Sequence, residues 1–224
     1  MKKSVKKVLA AVLALTLIAL CFTACGGTKT SGSSYTANNT EYFIGTTGPL
    51  TGDNASYGNS VKNGATIAIE EINAAGGLNG VKFKFDMKDD KASAQDATTG
   101  YNSLLEAGMQ ISLGSVTTDS CDAFGASAVE DNLFFITPSA SAAKVIEGRD
   151  NGFRVCFGDP DQGTLGADYL AKSYKNIGVI YNTSDTYSTG VFDAFKAEMD
   201  AKGVSFKLAT FDAENNKDFS TQIE

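Results

Sequence analysis

Ile111-Ser-Leu-Gly114 runs into Ser115-Val-Thr-Thr-Asp-Ser120, and Phe134-Phe-Ile-Thr-Pro138 runs into Ser139-Ala-Ser-Ala-Ala143. Each is a short apolar run ending in small hydroxyl residues where a helix is expected to begin. The first turn of a helix carries unpaired backbone N–H groups and the positive end of the peptide dipoles. Serine and threonine add hydroxyl donors without filling space. Two such turns side by side make a cradle for a small anion such as a carboxylate. The reading of the fold depends on whether the chain around them brings them together.

Working outward, apolar and polar residues change period repeatedly. Glu41-Tyr-Phe-Ile-Gly45 reads as a short strand opening into a Gly-rich loop, Gly45-Thr-Thr-Gly-Pro-Leu-Thr-Gly52. Val61, Ala65, Ala68, Ile69 and Ile72 fall at helical spacing within residues 57–75, and Gly76-Gly77 stops that helix. Val81-Lys-Phe-Lys-Phe-Asp-Met87 alternates as a strand does. Ala94, Ala97, Tyr101, Leu104 and Leu105 mark the next helix; the strand 111–114, a helix over 119–131 and the strand 133–137 follow. Strands alternating with helices through short turns predict an α/β fold with a doubly wound parallel sheet. With strand order 2-1-3-4, the loops after strands 1, 3 and 4 share the crevice at the carboxyl ends of the strands.

Gly152-Phe-Arg-Val-Cys-Phe157 is strand-like, and Gly158-Asp-Pro-Asp-Gln-Gly163 breaks it. A fresh unit is expected beyond: a helix over 162–174, a strand over 177–181, a helix over 189–202, a strand over 204–210 and a new helix start at Asp218-Phe-Ser-Thr. This describes a first lobe over 41–157 and a second, incomplete lobe over 158–224. Two strands do not make a sheet covered on both faces, so the chain is expected to be a fragment, truncated at its C-terminal end.

The chain opens differently. Met1–Lys7 is basic and Val8–Leu20 is an uninterrupted apolar run, too short to span a bilayer comfortably. Phe22-Thr-Ala-Cys25 follows, similar to a bacterial lipobox, so residues 1–25 read as a lipoprotein signal peptide with Cys25 as the lipidated residue. Residues 26–40, GGTKTSGSSYTANNT, read as a flexible tether. Anchor, tether and folded domain together place the protein at the outer face of the cytoplasmic membrane.

Composition excludes several classes. The net charge of -7 becomes more negative once the lysines of the leader are removed, which disfavours nucleic-acid binding. The chain has no histidine, so Ser-His-Asp and Cys-His catalysis within it are excluded, as is the commonest transition-metal ligand. There is no GxSxG elbow. The Gly-rich loop lacks GxGxxG spacing and a following Lys-Ser/Thr pair. Asp86, Asp89 and Asp90 lack the calcium-loop pattern and read as a solvated strand end. Cys121 and Cys156 have no CxxC spacing; they read as buried apolar residues, with a disulfide left open. No cofactor and no metal are expected. Tyr57, at a helix start by the crevice, and Tyr187, in the loop after the first strand of the second lobe, serve either packing or ligand contact. Thr118, Ser139 and Ser141 serve as helix caps, as ligand donors, or both.

Taken together, IGTTGPLTGDNASYG over 44–58, Glu71-Ile-Asn-Ala-Ala-Gly-Gly77, Phe134-Phe-Ile-Thr-Pro-Ser-Ala-Ser141, Asp159-Pro-Asp-Gln-Gly163 and Lys217-Asp-Phe-Ser-Thr221 resemble the branched-chain amino acid (leucine/isoleucine/valine-type) binding proteins of ABC transporters. The resemblance covers essentially all of 41–224. It implies a two-lobed type I periplasmic-binding-protein fold, no enzymatic activity, and a small amino acid ligand delivered to ABC permease subunits. It implies that Thr118, Ser139 and Ser141 hold the ligand carboxylate, that Tyr57 and Tyr187 flank it, and that the hinge acid Asp159 meets the ammonium in some members. Thr117 stands where some members carry a disulfide cysteine, so that bridge is not expected. Hinge closure is expected near residues 158–161, and a monomer is expected. The alternative is a sensor domain of the same fold, reporting an amino acid, amide or small peptide to a membrane signalling partner.

Overall fold

The computed structural model describes residues 41–223; the leader, Cys25 and the tether over 26–40 lie outside the described residues. Five parallel strands form the first sheet: β1 (Glu41–Gly48), β2 (Lys82–Asp89), β3 (Ile111–Ser112), β4 (Phe135–Thr137) and β5 (Gly152–Arg154), in the order β2-β1-β3-β4-β5. The expected order holds and gains β5 as a new edge. β1 pairs in register with β2 from Glu41↔Lys82 to Gly48↔Asp89, and with β3 at Ile44↔Ile111. The helices between the strands are α1 (Ala55–Ala74), α2 (Ala94–Glu106) and α3 (Thr118–Glu130).

Side-chain spacing explains why these segments hold. On α2, Ala97, Tyr101 and Leu104 are fully buried; on α3, Cys121, Phe124 and Ala128 are. Both sets follow the three-to-four residue period of one helix face. Tyr101 meets Phe124 edge-on at 4.8 Å between ring centroids, and Phe124 meets Phe135 of β4 at 6.2 Å. Each buried aromatic or leucine contributes roughly 1.5–3 kcal/mol of burial, so this cluster fixes α2 and α3 to the strands whose ends carry the cradle. Ser93 caps α2 by accepting the Asp96 N–H at 3.3 Å. The outer edge of β2 is closed by Asn73 of α1, whose amide pairs with both the N–H and the C=O of Phe83 at 2.8 Å. That side chain imitates a neighbouring strand and satisfies an edge that otherwise invites foreign pairing.

The second lobe contains α4 (Asp159–Ser173), β6 (Gly178–Asn182), α5 (Thr186–Lys202), β7 (Lys207–Phe211) and the short α6 (Ser220–Ile223). β6 and β7 form a parallel pair. Ala167, Ile177, Phe195 and Met199 make its core. Gly203, at φ +65°, ends α5 in the left-handed conformation that terminates many helices.

Three expectations are corrected. The helix expected at Ser139 does not start there: residues 139–142 are irregular, and only a 3₁₀ turn (Ala143–Val145) follows. A single 3₁₀ turn carries little of the summed dipole of a full helix, so Ser139 and Ser141 contribute as individual groups rather than as a helix terminus. The second lobe's first helix begins at Asp159 rather than near Gln162. Pro160 in its first turn has no N–H to lose and a φ already set for helix, and Asp161 Oδ2 accepts the Gly158 N–H at 3.3 Å. Residues 158–161 therefore form a helix start. Finally, Asp86, Asp89 and Asp90 are not one solvated strand end. Asp86 is partly exposed and paired with Lys88, whereas Asp90 is fully buried.

Candidate functional site

The loops after β3 and β4 are stitched together by side chains that look, in sequence, like mere helix caps. Thr137 Oγ1 donates to the Ser115 carbonyl at 2.7 Å, and Ser139 Oγ donates to the Val116 carbonyl at 2.7 Å. Thr46 Oγ1 donates to the Gly114 carbonyl at 2.8 Å, tying the end of β1 into the same place. Gly114 turns the chain there at φ +65°, a conformation open to glycine at no steric cost. Beneath the β3–α3 loop lies Asp90. Its Oδ2 accepts from Ser115 Oγ at 2.6 Å, and its Oδ1 from the Ala92 N–H at 3.0 Å. Burial pushes the Asp90 carboxyl above its ordinary pKa, and the Ser115 hydroxyl and Ala92 N–H draw it part of the way back. Asp89, beside it, reaches the other way. It accepts from the Leu50 N–H at 2.8 Å and the Thr51 hydroxyl at 2.6 Å, so the β1–α1 loop is drawn toward β2. Burial opposes ionisation of Asp89, but those donors hold its carboxyl below the usual range.

On this platform Thr118 and Ser141 are almost fully buried, at 5 % and 4 % exposure. Thr118 opens α3, next to the loop held by Ser139. The Ser141 carbonyl accepts from the Asp159 N–H at 3.1 Å and from Arg154 Nη1 at 2.6 Å. Arg154 also bonds the Ala142 carbonyl at 3.1 Å, so the chain crossing between the lobes is pinned to the β4 loop. Asp159 itself is only 2 % exposed, and neither carboxylate oxygen has a hydrogen-bond partner among the described residues. Burial pushes its pKa up. The Ser141 hydroxyl and the Arg154 guanidinium favour the charged form, and Asp185 opposes it. On α5, Gly190 leaves room for this carboxylate: a Cβ there falls 2.7 Å from Asp159 Oδ2.

Tyr187, in the first turn of α5, is 40 % exposed. Its hydroxyl and the Gln162 side-chain amide of α4 lie 2.9–3.0 Å apart, so the ring is steadied from within its own lobe. Its neighbour Thr186 donates to Asp119 Oδ1 at 2.8 Å, a direct contact between α5 and α3. Five of the candidate residues, Thr118, Ser139, Ser141, Asp159 and Tyr187, are thus connected through short bonds of their own or of adjacent residues. Tyr57 stands apart from this network. It is 63 % exposed on α1, and the loop before it is tied to β2. Cys121 and Cys156 are both free thiols. Cys121 is a buried core residue whose thiol burial pushes up to about 11.

Sequence reasoning missed Asp90, Arg154, Gly190 and the Asp119–Thr186 contact. Arg154 closing a strand and Gly190 inside a helix were visible signals, since each is out of place unless a close approach requires it.

Buried hydroxyls and a buried carboxylate thus lie where the β3 and β4 loops meet the chain crossing between two α/β lobes. The fold class is that of two-lobed binding proteins. A family model described as Periplasmic binding protein matches residues 41–224, and the chain belongs to that family. The Leu/Ile/Val-binding protein BraC3 of Rhizobium johnstonii is 34% identical over 179 residues, covering 79% of this chain and 49% of that protein. Among solved structures, the branched-chain amino acid transporter substrate-binding protein LivJ of Streptococcus pneumoniae, in complex with isoleucine, matches at TM-score 0.76 and 27% identity, over 82% of this chain and 53% of that one. The leucine-binding protein LivK of Thermotoga maritima matches at TM-score 0.73 and 25% identity, over 81% and 52%. The chain spans about half the length of the curated relatives it matches.

Proposed function

We propose that this chain forms part of an extracytoplasmic solute-binding lipoprotein that captures a small aliphatic amino acid and delivers it to ABC permease subunits. Thr118 and Ser141 receive the ligand carboxylate, with Ser139 joining them once its hydroxyl turns from the Val116 carbonyl to the ligand; Asp159 receives the ammonium, and Tyr57 and Tyr187 flank the ligand. Cys25 carries the lipid anchor. The observation that carries this reading is Asp159: a carboxylate 2 % exposed, with no short hydrogen bond among the described residues, stays costly to ionise even with the Ser141 hydroxyl and the Arg154 guanidinium near it, and a ligand cation offsets that cost. A zwitterion supplies that cation and, a few ångströms away, an anion for the hydroxyl end. The relatives named for leucine, isoleucine and valine support a branched aliphatic side chain.

Charge-assisted hydrogen bonds in a closed cleft are worth about 1.5–3 kcal/mol each. Three or four of them, with burial of an aliphatic side chain, support binding in the micromolar range, roughly 8 kcal/mol. Calorimetric titration of the full chain with leucine, isoleucine and valine is expected to show 1:1 binding. 4-Methylpentanoic acid, which lacks the amine, and isopentylamine, which lacks the carboxylate, are each expected to fail. Equal binding of either truncated analogue would remove one end of the site from the proposal.

A further inference from the structure

Asp119 follows Thr118 in the first turn of α3, and its Oδ1 accepts from donors on two different lobes. Lys144 Nζ, on the 3₁₀ turn of the first lobe, lies 3.0 Å away, and Thr186 Oγ1, the first residue of α5 in the second lobe, lies 2.8 Å away. The first-lobe side is braced in depth. Lys144 also lies 3.4 Å from Asp122 Oδ2, and Asp122 Oδ1 takes a bond of 2.6 Å from Arg149. Arg149 donates in addition to the Val145 carbonyl at 2.7 Å, locking the turn that carries Lys144. Asp119 is thus tied to the first lobe through Lys144 and also accepts a bond from the second. The second-lobe side is equally set. Asp185, one residue before Thr186, caps α5 by accepting the Ser188 N–H at 2.9 Å. One turn after Thr186, Gly190 faces Asp159.

We propose that Asp119 and Thr186 form an interlobe latch that positions the lobes over the bound ligand and sets how fast the cleft opens. The inference rests on the amino-acid-binding reading for its kinetic effect, but the contact itself needs no ligand. Thr118 and Asp119 share one helical turn, as do Thr186 and Tyr187. Seating a ligand on Thr118 and beneath Tyr187 therefore places the latch residues within reach of each other. Opening the cleft separates α3 from α5 and breaks the bond, returning both groups to water. An interaction made only in the closed state slows dissociation and leaves association almost untouched, because the ligand enters the open form. Neither latch residue is assigned a place on the ligand.

The test uses the full chain and the variants Thr186→Val and Thr186→Ser. Valine keeps the shape of threonine and removes the donor; serine keeps the donor and removes a methyl group. Stopped-flow tyrosine fluorescence with leucine as the probe reads the two rate constants separately. Thr186→Val is expected to raise the dissociation rate about three- to tenfold, the range for one charge-assisted bond discounted for partial solvent exposure, with the association rate unchanged within about twofold. Thr186→Ser is expected to stay close to the parent. An unchanged dissociation rate in Thr186→Val, or equal acceleration in both variants, would overturn the latch, the second outcome assigning the effect to packing. Small-angle X-ray scattering on the ligand-free protein gives an independent reading. Thr186→Val is expected to shift the profile toward a more open, larger form, and an identical profile would count against the latch even if no amino acid bound. Leucine failing to bind while the profile shifts would overturn the ligand assignment and keep the latch.

Discussion

Replacing Asp159 with asparagine is expected to move affinity and stability in opposite directions. The side chain is 2 % exposed, carries no hydrogen bond on either oxygen among the described residues, and has its pKa raised chiefly by burial. The folded state thus favours the protonated, neutral form. Because the folded pKa lies above the ordinary 3.8, Asp159's stabilising contribution is fully present below that value and is lost as pH rises through the folded one. At neutral pH the ionised group is a cost to the free protein, and Asp159→Asn removes the charge while keeping the shape. The ligand-free variant should melt no lower than the parent, and higher by about 2–4 °C for each kcal/mol relieved in a domain of this size. The ammonium of a ligand then meets a neutral carbonyl in place of a carboxylate. One charge-assisted bond in a closed cleft, about 1.5–3 kcal/mol, corresponds to a loss of about ten- to a hundredfold in affinity for leucine. Differential scanning calorimetry without ligand and isothermal titration calorimetry with leucine read the two effects. A variant that melts several degrees lower yet binds leucine as well as the parent would show that Asp159 is a structural group, and the reasoning from its burial would fail.

Three further outcomes follow from the same geometry. Leucine affinity should decline on acidification at a pH above that of an ordinary aspartate, because the Asp159 pKa is raised and the protonated form has no charge to offer; titration calorimetry in a buffer series from about pH 4 to about pH 8 checks this, and a flat profile contradicts it. Gly190→Ala puts a methyl group 2.7 Å from Asp159 Oδ2, so the carboxylate must shift by several tenths of an ångström; affinity should drop about tenfold or more with little change in circular dichroism. Asp90→Ala leaves the buried Ser115 hydroxyl and the Ala92 N–H without their acceptor, at about 1–3 kcal/mol each, whereas Asp90→Asn keeps an acceptor and removes a buried charge; urea unfolding should show the alanine variant clearly less stable than the asparagine one.

The fold was largely legible in the sequence because local and global signals agree. The helical period of Ala97, Tyr101 and Leu104 is also the face that meets Phe124, and the order of the first four strands follows from short parallel crossovers. The closeness of the β3 and β4 loops was legible for the same reason, since that strand order makes their loops neighbours. Other parts depend on partners distant in sequence. Asp90 stands between charged neighbours and reads as solvent-facing. Its burial is decided by Ser115, 25 residues further on. Asp159 reads as a loop residue until Pro160 is recognised as helix-compatible in a first turn, which extends α4 back to Asp159. The expected helix after Pro138 failed because tertiary bonds outcompete propensity there. Ser139 spends its hydroxyl on the Val116 carbonyl, and Arg154 takes the carbonyls of Ser141 and Ala142. No pattern within either lobe announces the Asp119–Thr186 bond, since each partner alone is an ordinary helix-start residue.

The central claim is that one zwitterion is held at both ends, by Thr118 and Ser141 on the loop that Ser139 braces and by Asp159. A crystal structure of the full chain grown with leucine tests it most directly. The account predicts the ligand carboxylate within about 2.6–3.2 Å of hydroxyl or N–H donors at Thr118 and Ser141, and the ammonium at the same range from Asp159 Oδ1 or Oδ2. A ligand bound with its amine toward Thr118, or bound while Asp159 stays buried and without a partner, would contradict it.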